Sequence, residues 1–281
     1  MADRDRGYGE PELEILEIEL LLEGIHRHYG FDFRGYAYSS LKRRLWRVMA
    51  EEHLSTVSEL QSRVLHDEAC MERLLRALSI NVTAMFRDPD FFVAFRDKVA
   101  PLLRTYPFIR VWNAGCSTGE ETYSLAILLA EEGLYERTRI YATDINDAVL
   151  ERAEAGDFPV EKASEYAQNY LKAGGSGAFS DYYATREGTA RLSRRLKDNV
   201  VFAQHNLVSD RSFNEFHVIL CRNVMIYFGR PLQDRVHGLF YDSLDRLGIL
   251  GLGQKESIRL TRYEGYYEPL DVHHRLYRRI G

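Results

Sequence analysis

Val111-Trp112-Asn113-Ala114-Gly115-Cys116-Ser117-Thr118-Gly119-Glu120-Glu121 is the stretch whose reading decides the fold. An apolar run, IRVWN, enters a tight loop of small residues, and TGEETYSLAILLAEEG then carries a helical pattern that stops at Gly133. A strand, a small-residue turn holding Gly115 as a cofactor-binding candidate, and a helix start allow the backbone to approach a ligand closely. The unpaired N–H groups of the helix start then aim at whatever is bound. Asp144 ends the next apolar run, RIYATDI, 29 residues after Gly115. An acidic side chain at that place can accept hydrogen bonds from both hydroxyls of a ribose. The plainer readings are an ordinary strand-to-helix turn and a cap for a helix beginning at Asn146.

Outward from this stretch, strands and helices alternate. EFHVILCRN is a third buried strand, a helix follows over about 232–246, and GILGLG and HHRLYRRI are two late strands. The last follows its neighbour without a full crossover helix, which allows an antiparallel pairing. Units of this length predict a mostly parallel sheet with helices on both faces. Between about Tyr166 and Val201 the rhythm breaks: Gly174-Gly175-Ser176-Gly177, FSDYY and two strand-like pieces predict a small β insertion.

Upstream, residues 11–105 read as helices. Leu13, Leu16, Leu20 and Leu21 fall at i, i+3, i+7 and i+8 before Gly30, and further helices are predicted over about 39–53, 56–66 and 67–78. Asp88-Pro89 opens another through about Thr105, with proline suited to a first turn. The expected organisation is a helical domain over 1–80, a linker over 81–107 and an α/β domain over 108–281, with the insertion at about 166–201.

Neither G-x-G-x-x-G nor G-x-x-x-x-G-K-[ST] occurs at the loop, so a dinucleotide or triphosphate is not indicated. Glu120 and Glu121 would repel phosphates and suit a nucleoside with a cationic end, such as S-adenosylmethionine with its ammonium and sulfonium. They would equally complement a helix dipole. The chain of 281 residues is 45% hydrophobic and carries a net charge of −5, which disfavours a nucleic-acid partner. Cys70, Cys116 and Cys221 form no C-x-x-C pair. The start, MADRDRGYGE, lacks the apolar region of a secretory signal, and Leu13–Ile25 contains four glutamates. A cytoplasmic protein without membrane insertion is expected. His273-His274 has no second pair at ligand spacing, so no metal is expected.

Five motifs occur in order: Asn81-Val82-Thr83-Ala84-Met85-Phe86-Arg87-Asp88-Pro89, the AGCSTGEE loop, Ala142-Thr143-Asp144-Ile145, His205-Asn206-Leu207, and Cys221-Arg222-Asn223-Val224-Met225-Ile226-Tyr227-Phe228. Together they resemble the CheR-type chemoreceptor glutamate O-methyltransferase family, over nearly the whole chain. The resemblance implies a class I S-adenosylmethionine-dependent methyltransferase fold, Rossmann-like, with an all-helical N-terminal domain and a small β insertion. It implies that S-adenosylmethionine, and its product S-adenosylhomocysteine, are held by Asn81, Thr83, Arg87, Glu121, Asp144, Asn206, Leu207, Arg222 and Asn223, beside the Gly115 loop. Arg87 and Tyr227 are then nearest the transferred methyl. Taken alone, Asn81 and Thr83 would be caps in a linker, Arg87 a surface partner of Asp90, and Tyr227 a packed tyrosine. Two departures stand out: Thr122 where the family often has proline, and Gly253-Gln254-Lys255-Glu256-Ser257 where it often has Gly-His-Ser-Glu.

A glutamate acceptor fits the chemistry. With a pKa of about 4.3 it is already ionised at neutral pH, so in-line attack on a sulfonium needs alignment rather than a base. The Asn/Asp-Pro-Pro-aromatic turn common in amino-group methyltransferases is replaced by Arg222-Asn223-Val224-Met225. On the second helix Leu41, Leu45, Val48 and Met49 form the apolar stripe, and Arg43, Arg44 and Arg47 are expected opposite it. That face is either solvated or a docking surface for the glutamate-rich cytoplasmic helices of a chemoreceptor. The charged middle of the insertion (Arg191, Arg194, Arg195, Lys197) favours docking that does not depend on a receptor tail. A monomer is expected. The other readings are a methyltransferase for a small molecule or RNA, and a non-catalytic cofactor-binding regulator.

Overall fold

A computed structural model describes residues 10–79 and 83–281, with side chains from residue 12 onward; Asn81 and the stretch before residue 10 lie outside the described residues. The chain divides into two compact units, residues 1–80 with 227–232, and residues 81–226 with 233–281.

The first unit is built from α1 (Glu10–Tyr29), α2 (Tyr38–Glu51), α3 (Val57–His66) and α4 (Glu68–Leu78). Helix α1 stops because Gly30 turns left-handed at φ 81° and its N–H closes back on the His26 carbonyl at 3.0 Å. Helix α3 opens on a capping box: the Thr56 hydroxyl accepts from Glu59 N, and the Glu59 carboxylate accepts from Thr56 N. Leu21, Ile25, Leu45, Leu60, Val64 and Leu74 are fully buried between the four helices. Each such side chain contributes about 1.5–3 kcal/mol by leaving water. The segment 227–232 lies along residues 35–37: Ala37 N donates to Tyr227 O at 2.9 Å, and Gly229 N to Gly35 O at 2.8 Å.

Two expectations fail in this unit. Of the four α1 leucines read at helical spacing only Leu21 is buried; Leu13, Leu16 and Leu20 are exposed, and the core face is Ile18, Leu21, Leu22 and Ile25. The other failure is on α2. Arg44 is not on the outward basic face of α2 with Arg43 and Arg47; it is 4% exposed, donates through Nη1 to the Leu78 carbonyl at 2.6 Å and lies 4.4 Å over the Tyr227 ring. On the helical wheel it stands only about 40° from Val48. The apolar stripe is wide enough to take it in, and the guanidinium closes the C-terminus of α4.

The second unit runs α5 (Pro89–Lys98), α6 (Ala100–Leu103), β1 (Ile109–Ala114), α7 (Glu120–Glu131), β2 (Thr138–Asp144), α8 (Asp147–Ala155), β3 (Asp157–Pro159), α9 (Ala163–Lys172), β4 (Tyr183–Arg186), β5 (Thr189–Leu192), β6 (Val200–Gln204), β7 (Phe216–Cys221), α10 (Arg230–Ser243), β8 (Leu244–Leu252), β9 (Tyr267–Asp271) and β10 (Leu276–Arg279). The single helix expected from Asp88 to Thr105 is two, because Pro101 has no N–H to give to the turn before it.

The main sheet has the order β6-β2-β1-β7-β8-β10-β9. Its first five strands are parallel, and β10 is antiparallel to β8, as its short connection suggested. Strand β7 is buried at every position, and the Trp112 indole in β1 donates to Thr143 Oγ1 at 2.8 Å. A second, antiparallel sheet, β3-β5-β4, with α9 between β3 and β4 in sequence, starts at Asp157, earlier than the expected start near Tyr166, and ends at Leu192; Val200 and Val201, expected at the end of the insertion, belong to β6 of the main sheet. Arg191 in β5 is held by a bidentate pair with Asp157 at 2.6 and 2.7 Å. The three cysteines are free and buried, and burial pushes the Cys116 and Cys221 thiols well above their ordinary range. Among the described residues, no helix is long and apolar enough to cross a membrane.

Candidate active site

Chain direction in the parallel strands gathers the site. From β1 the chain moves one way to β2 and β6, then returns to the other side of β1 as β7. The crevice at such a reversal, at the carboxyl ends of the strands, is where ligands bind in open α/β sheets. Gly115 follows β1, Asp144 ends β2, Asn206 and Leu207 follow β6, and Arg222 and Asn223 follow β7. Residues far apart in sequence therefore share one edge of the second unit.

The loop after β1 is shaped by its own backbone. Gly115 and Cys116 both donate to the Thr143 carbonyl, at 2.8 and 2.9 Å. Gly115 has φ 74°, and a Cβ there would stand 2.5 Å from Val224 Cγ2, so the position admits only glycine. Ser117 N then donates to Asp144 Oδ2 at 2.9 Å, while Asn146 N donates to Oδ1 at 3.1 Å. Helix α8 is capped by Asn146, whose side chain accepts from Ala148 N at 3.0 Å, rather than by Asp144. Burial pushes the Asp144 carboxyl above the usual aspartate value, against the pull of those backbone donors. A carboxylate offers about four acceptor positions, so capacity remains for a nucleoside's hydroxyls.

Glu121 begins a buried polar chain. Its Oε1 accepts from Asn113 Nδ2 at 2.8 Å, and Thr122, where the family often has proline, donates to Asn113 Oδ1 at 2.6 Å. Its Oε2 accepts from Arg222 Nη1 at 2.5 Å. The Arg222 side chain is 1% exposed; its Nη2 donates to Asp88 Oδ2 at 2.8 Å and to the Arg87 carbonyl at 3.1 Å, and the group lies 4.0 Å over the Phe91 ring. The Arg222 side chain thus works as an internal clamp, and its backbone is the part beside the strand ends. Glu120 accepts from Thr118 Oγ1 at 2.6 Å.

Arg87 is half-buried between two non-glycine residues in left-handed conformation, Phe86 at φ 51° and Asp88 at φ 55°. Both are pinned: Phe86 N donates to Ser124 Oγ at 2.7 Å, its ring packs on Phe92 and Tyr170, and Asp88 meets Arg222. Backbone strain of this kind persists only where surroundings impose it. Thr83 is half-buried just upstream. Asn206 makes its own turn, its Oδ1 accepting from Val208 N at 2.9 Å, and leaves Leu207 buried.

Tyr227 falls in the other compact unit from Arg87. Its half-buried ring lies 4.4 Å under the Arg44 guanidinium of its own unit. Arg43 and Arg47 are exposed on α2.

Glu256 was not singled out by sequence reasoning as a functional residue. It is 4% exposed and accepts four backbone hydrogen bonds, from Asn223, Val224, Met225 and Gly253. The signal lay in the departure already noted: Gly253-Gln254-Lys255-Glu256 keeps the first and last residues of Gly-His-Ser-Glu.

The donor set suits S-adenosylmethionine. The loop is flanked by Asp144, Glu120 and Glu121, which match hydroxyl and cationic groups and oppose phosphates, and Gly115 removes a side chain where backbone must come close. Asp144, at the end of β2 beside the loop, and Glu121, in the first turn of α7, are the carboxylates at these strand ends that could hold such a cofactor.

Residues 81–272 match the family described as CheR methyltransferase, SAM binding domain, and residues 16–79 match CheR methyltransferase, all-alpha domain. A Pseudomonas putida protein carrying the name Cher3 is 50% identical over 264 residues, covering 94% of this chain and 97% of that one. The chemotaxis protein methyltransferase 2 of Pseudomonas aeruginosa is 33% identical, covering 78% of this chain and 77% of its own. The chemotaxis protein methyltransferase of Salmonella typhimurium is 31% identical, with 80% and 76% covered.

Proposed function

We propose that this chain, which belongs to the CheR methyltransferase family, esterifies glutamate side chains on the cytoplasmic helices of a chemoreceptor. Membership makes it an S-adenosylmethionine-dependent methyltransferase of the class I fold that acts in chemotaxis signalling; the glutamate acceptor and the roles of individual residues are our reading. When bound, the cofactor supplies a methyl group on a sulfonium. The carrying observation is that one chain holds both an all-alpha domain and a SAM binding domain of this family.

Within that reading, Asp144 holds the ribose, with Glu121 and the Gly115 loop beside it, and Asn81 and Thr83 contribute from the linker. Arg87, its backbone fixed on both sides, presents a guanidinium that forks onto the acceptor carboxylate and orients it. Tyr227 shapes the methyl's path. Arg43 and Arg47 dock the acidic receptor helix, and the enzyme acts as a cytoplasmic monomer on a protein rather than on nucleic acid, in keeping with its net charge of −5.

The test is incubation with tritiated S-adenosylmethionine and receptor-containing membranes, followed by alkali. Volatile methanol released only with receptor present is expected, because a methyl ester hydrolyses where an N-methyl bond does not. Alkali-stable label, or label in RNA or small molecules instead, would overturn the reading.

A further inference from the structure

The connection after β8 reaches back to the turn after β7. The two strands are parallel neighbours with Cys221 opposite Leu252, so Arg222 and Gly253 leave the sheet side by side. Three residues on, the Glu256 side chain returns to this point. Its Oε2 accepts from Gly253 N at 2.7 Å and Asn223 N at 3.0 Å; its Oε1 accepts from Met225 N at 2.8 Å and Val224 N at 2.9 Å. Asn223 is left-handed at φ 62°, which turns three successive N–H groups toward one centre. Such a concave set of backbone donors is an anion site, and here the anion is the protein's own carboxylate. Gly253 is required by closeness: a Cβ there would lie 2.7 Å from Glu256 Oε2 and 2.8 Å from Asn223 N.

What this turn touches gives the arrangement its meaning. Val224 packs against Gly115 so closely that a Cβ there would stand 2.5 Å from Val224 Cγ2. Arg222, at its start, grips Glu121, Asp88 and the Arg87 carbonyl. The position of the turn therefore sets both the small-residue loop and the backbone of Arg87. We infer that Glu256 is a positioning residue for methyl transfer: by gathering the four N–H groups it fixes the Arg222–Met225 turn and, through Val224 and Arg222, aligns the Gly115 loop with Arg87. The inference rests on the methyl-transfer reading above and assigns Glu256 no contact with substrate or cofactor.

Glu256→Gln is the informative change. The amide keeps the shape, but whichever way it is turned, its NH2 group faces two of the four N–H donors. Glu256→Asp keeps the charge and shortens the reach by one methylene. S-adenosylhomocysteine affinity by calorimetry and receptor methylation by the methanol assay are measured for both, alongside wild type and the exposed-neighbour control Gln254→Ala. The expectation for Glu256→Gln is at least a tenfold fall in kcat, KM for receptor within threefold of wild type, and about tenfold weaker S-adenosylhomocysteine binding. Glu256→Asp should recover part of both, and Gln254→Ala should match wild type. Wild-type kcat and affinity in a folded Glu256→Gln protein would overturn the inference. So would a kcat loss that vanishes at low temperature, in step with recovery of the folded fraction, since that marks a purely structural role. If Glu256→Gln does not fold, the same readouts on Glu256→Asp decide. A wild-type enzyme that binds S-adenosylhomocysteine but never labels receptor would instead refute the proposed acceptor.

Discussion

At the scale of single residues, the proposed roles separate alignment from cofactor binding. Tyr227→Phe is expected to keep S-adenosylhomocysteine affinity within about threefold while slowing methylation roughly tenfold or more, about 1.36 kcal/mol per factor of ten. Arg87→Ala should be slower still, and Arg87→Lys should recover little, because a point charge cannot replace a planar fork. A full-rate Tyr227→Phe or Arg87→Ala enzyme in single-turnover assays would remove these assignments. His237 offers a test of a different kind. It is 1% exposed, and burial pushes its imidazole down to about 4. Its folded value lies below the unfolded one, so its contribution to stability is complete above about pH 6.5 and is lost as pH falls toward 4. Wild type should lose about 2 kcal/mol from this group between pH 7 and 5, and His237→Gln should lack that part of the slope. Urea melts with equal pH 7-to-5 losses in both proteins would rule it out. Little of this was legible beforehand. Residue type marked Asp144 and the Gly115 loop, but Glu256 acts through backbone N–H groups, which sequence does not display.

At the scale of elements, helical periodicity identified α2 and its apolar stripe but misplaced one arginine at the stripe's margin. A wheel assigns faces by angle alone. Whether a residue 40° from the stripe is buried depends on what lies opposite, and here that is the end of α4 and an aromatic ring from residue 227. The consequence is a split among the three arginines. Arg43→Glu with Arg47→Glu should weaken receptor methylation, most at low salt, and leave stability and cofactor affinity unchanged. Arg44→Ala should lower stability by about 1–3 kcal/mol by leaving the Leu78 carbonyl without its donor. Denaturation midpoints and methylation rates for the two variants check this, and methylation unchanged in the Arg43/Arg47 double variant would mean that face is only solvated. Strand β9 escaped the sequence reading because Tyr267-Glu268-Pro269-Leu270-Asp271 has a proline in its centre. The strand lies at the sheet's edge and its pairing with β10 shifts register beside Pro269, the two settings in which a sheet tolerates proline.

At the scale of the molecule, the alternation of strands and helices was enough to give the parallel sheet. The five ordered motifs were enough to give the family. The domain of residues 81–272 binds S-adenosylmethionine as a matter of family, and saturation should therefore shift the α/β unit's unfolding. At one hundred times its dissociation constant, S-adenosylhomocysteine should add about 2.7 kcal/mol. Scanning calorimetry with and without a chelator checks it: no shift, or a shift that the chelator removes, would contradict metal-free binding. The order β6-β2-β1-β7-β8 explains why no single motif sufficed, since the strand ends at the crevice come from four places in the chain and meet only once the strands lie in that order.

The three buried thiols carry a practical corollary. Cys70 sits in α4 of the helical unit, while Cys116 and Cys221 flank the crevice in the α/β unit. With their protons held by burial, Cys116 and Cys221 present almost no thiolate to an alkylating reagent at neutral pH. A brief pulse of iodoacetamide during unfolding, read out peptide by peptide, should therefore date the opening of each unit separately. Added S-adenosylhomocysteine should delay labelling of Cys116 and Cys221, turning the chain's own sulfur atoms into two clocks for one molecule.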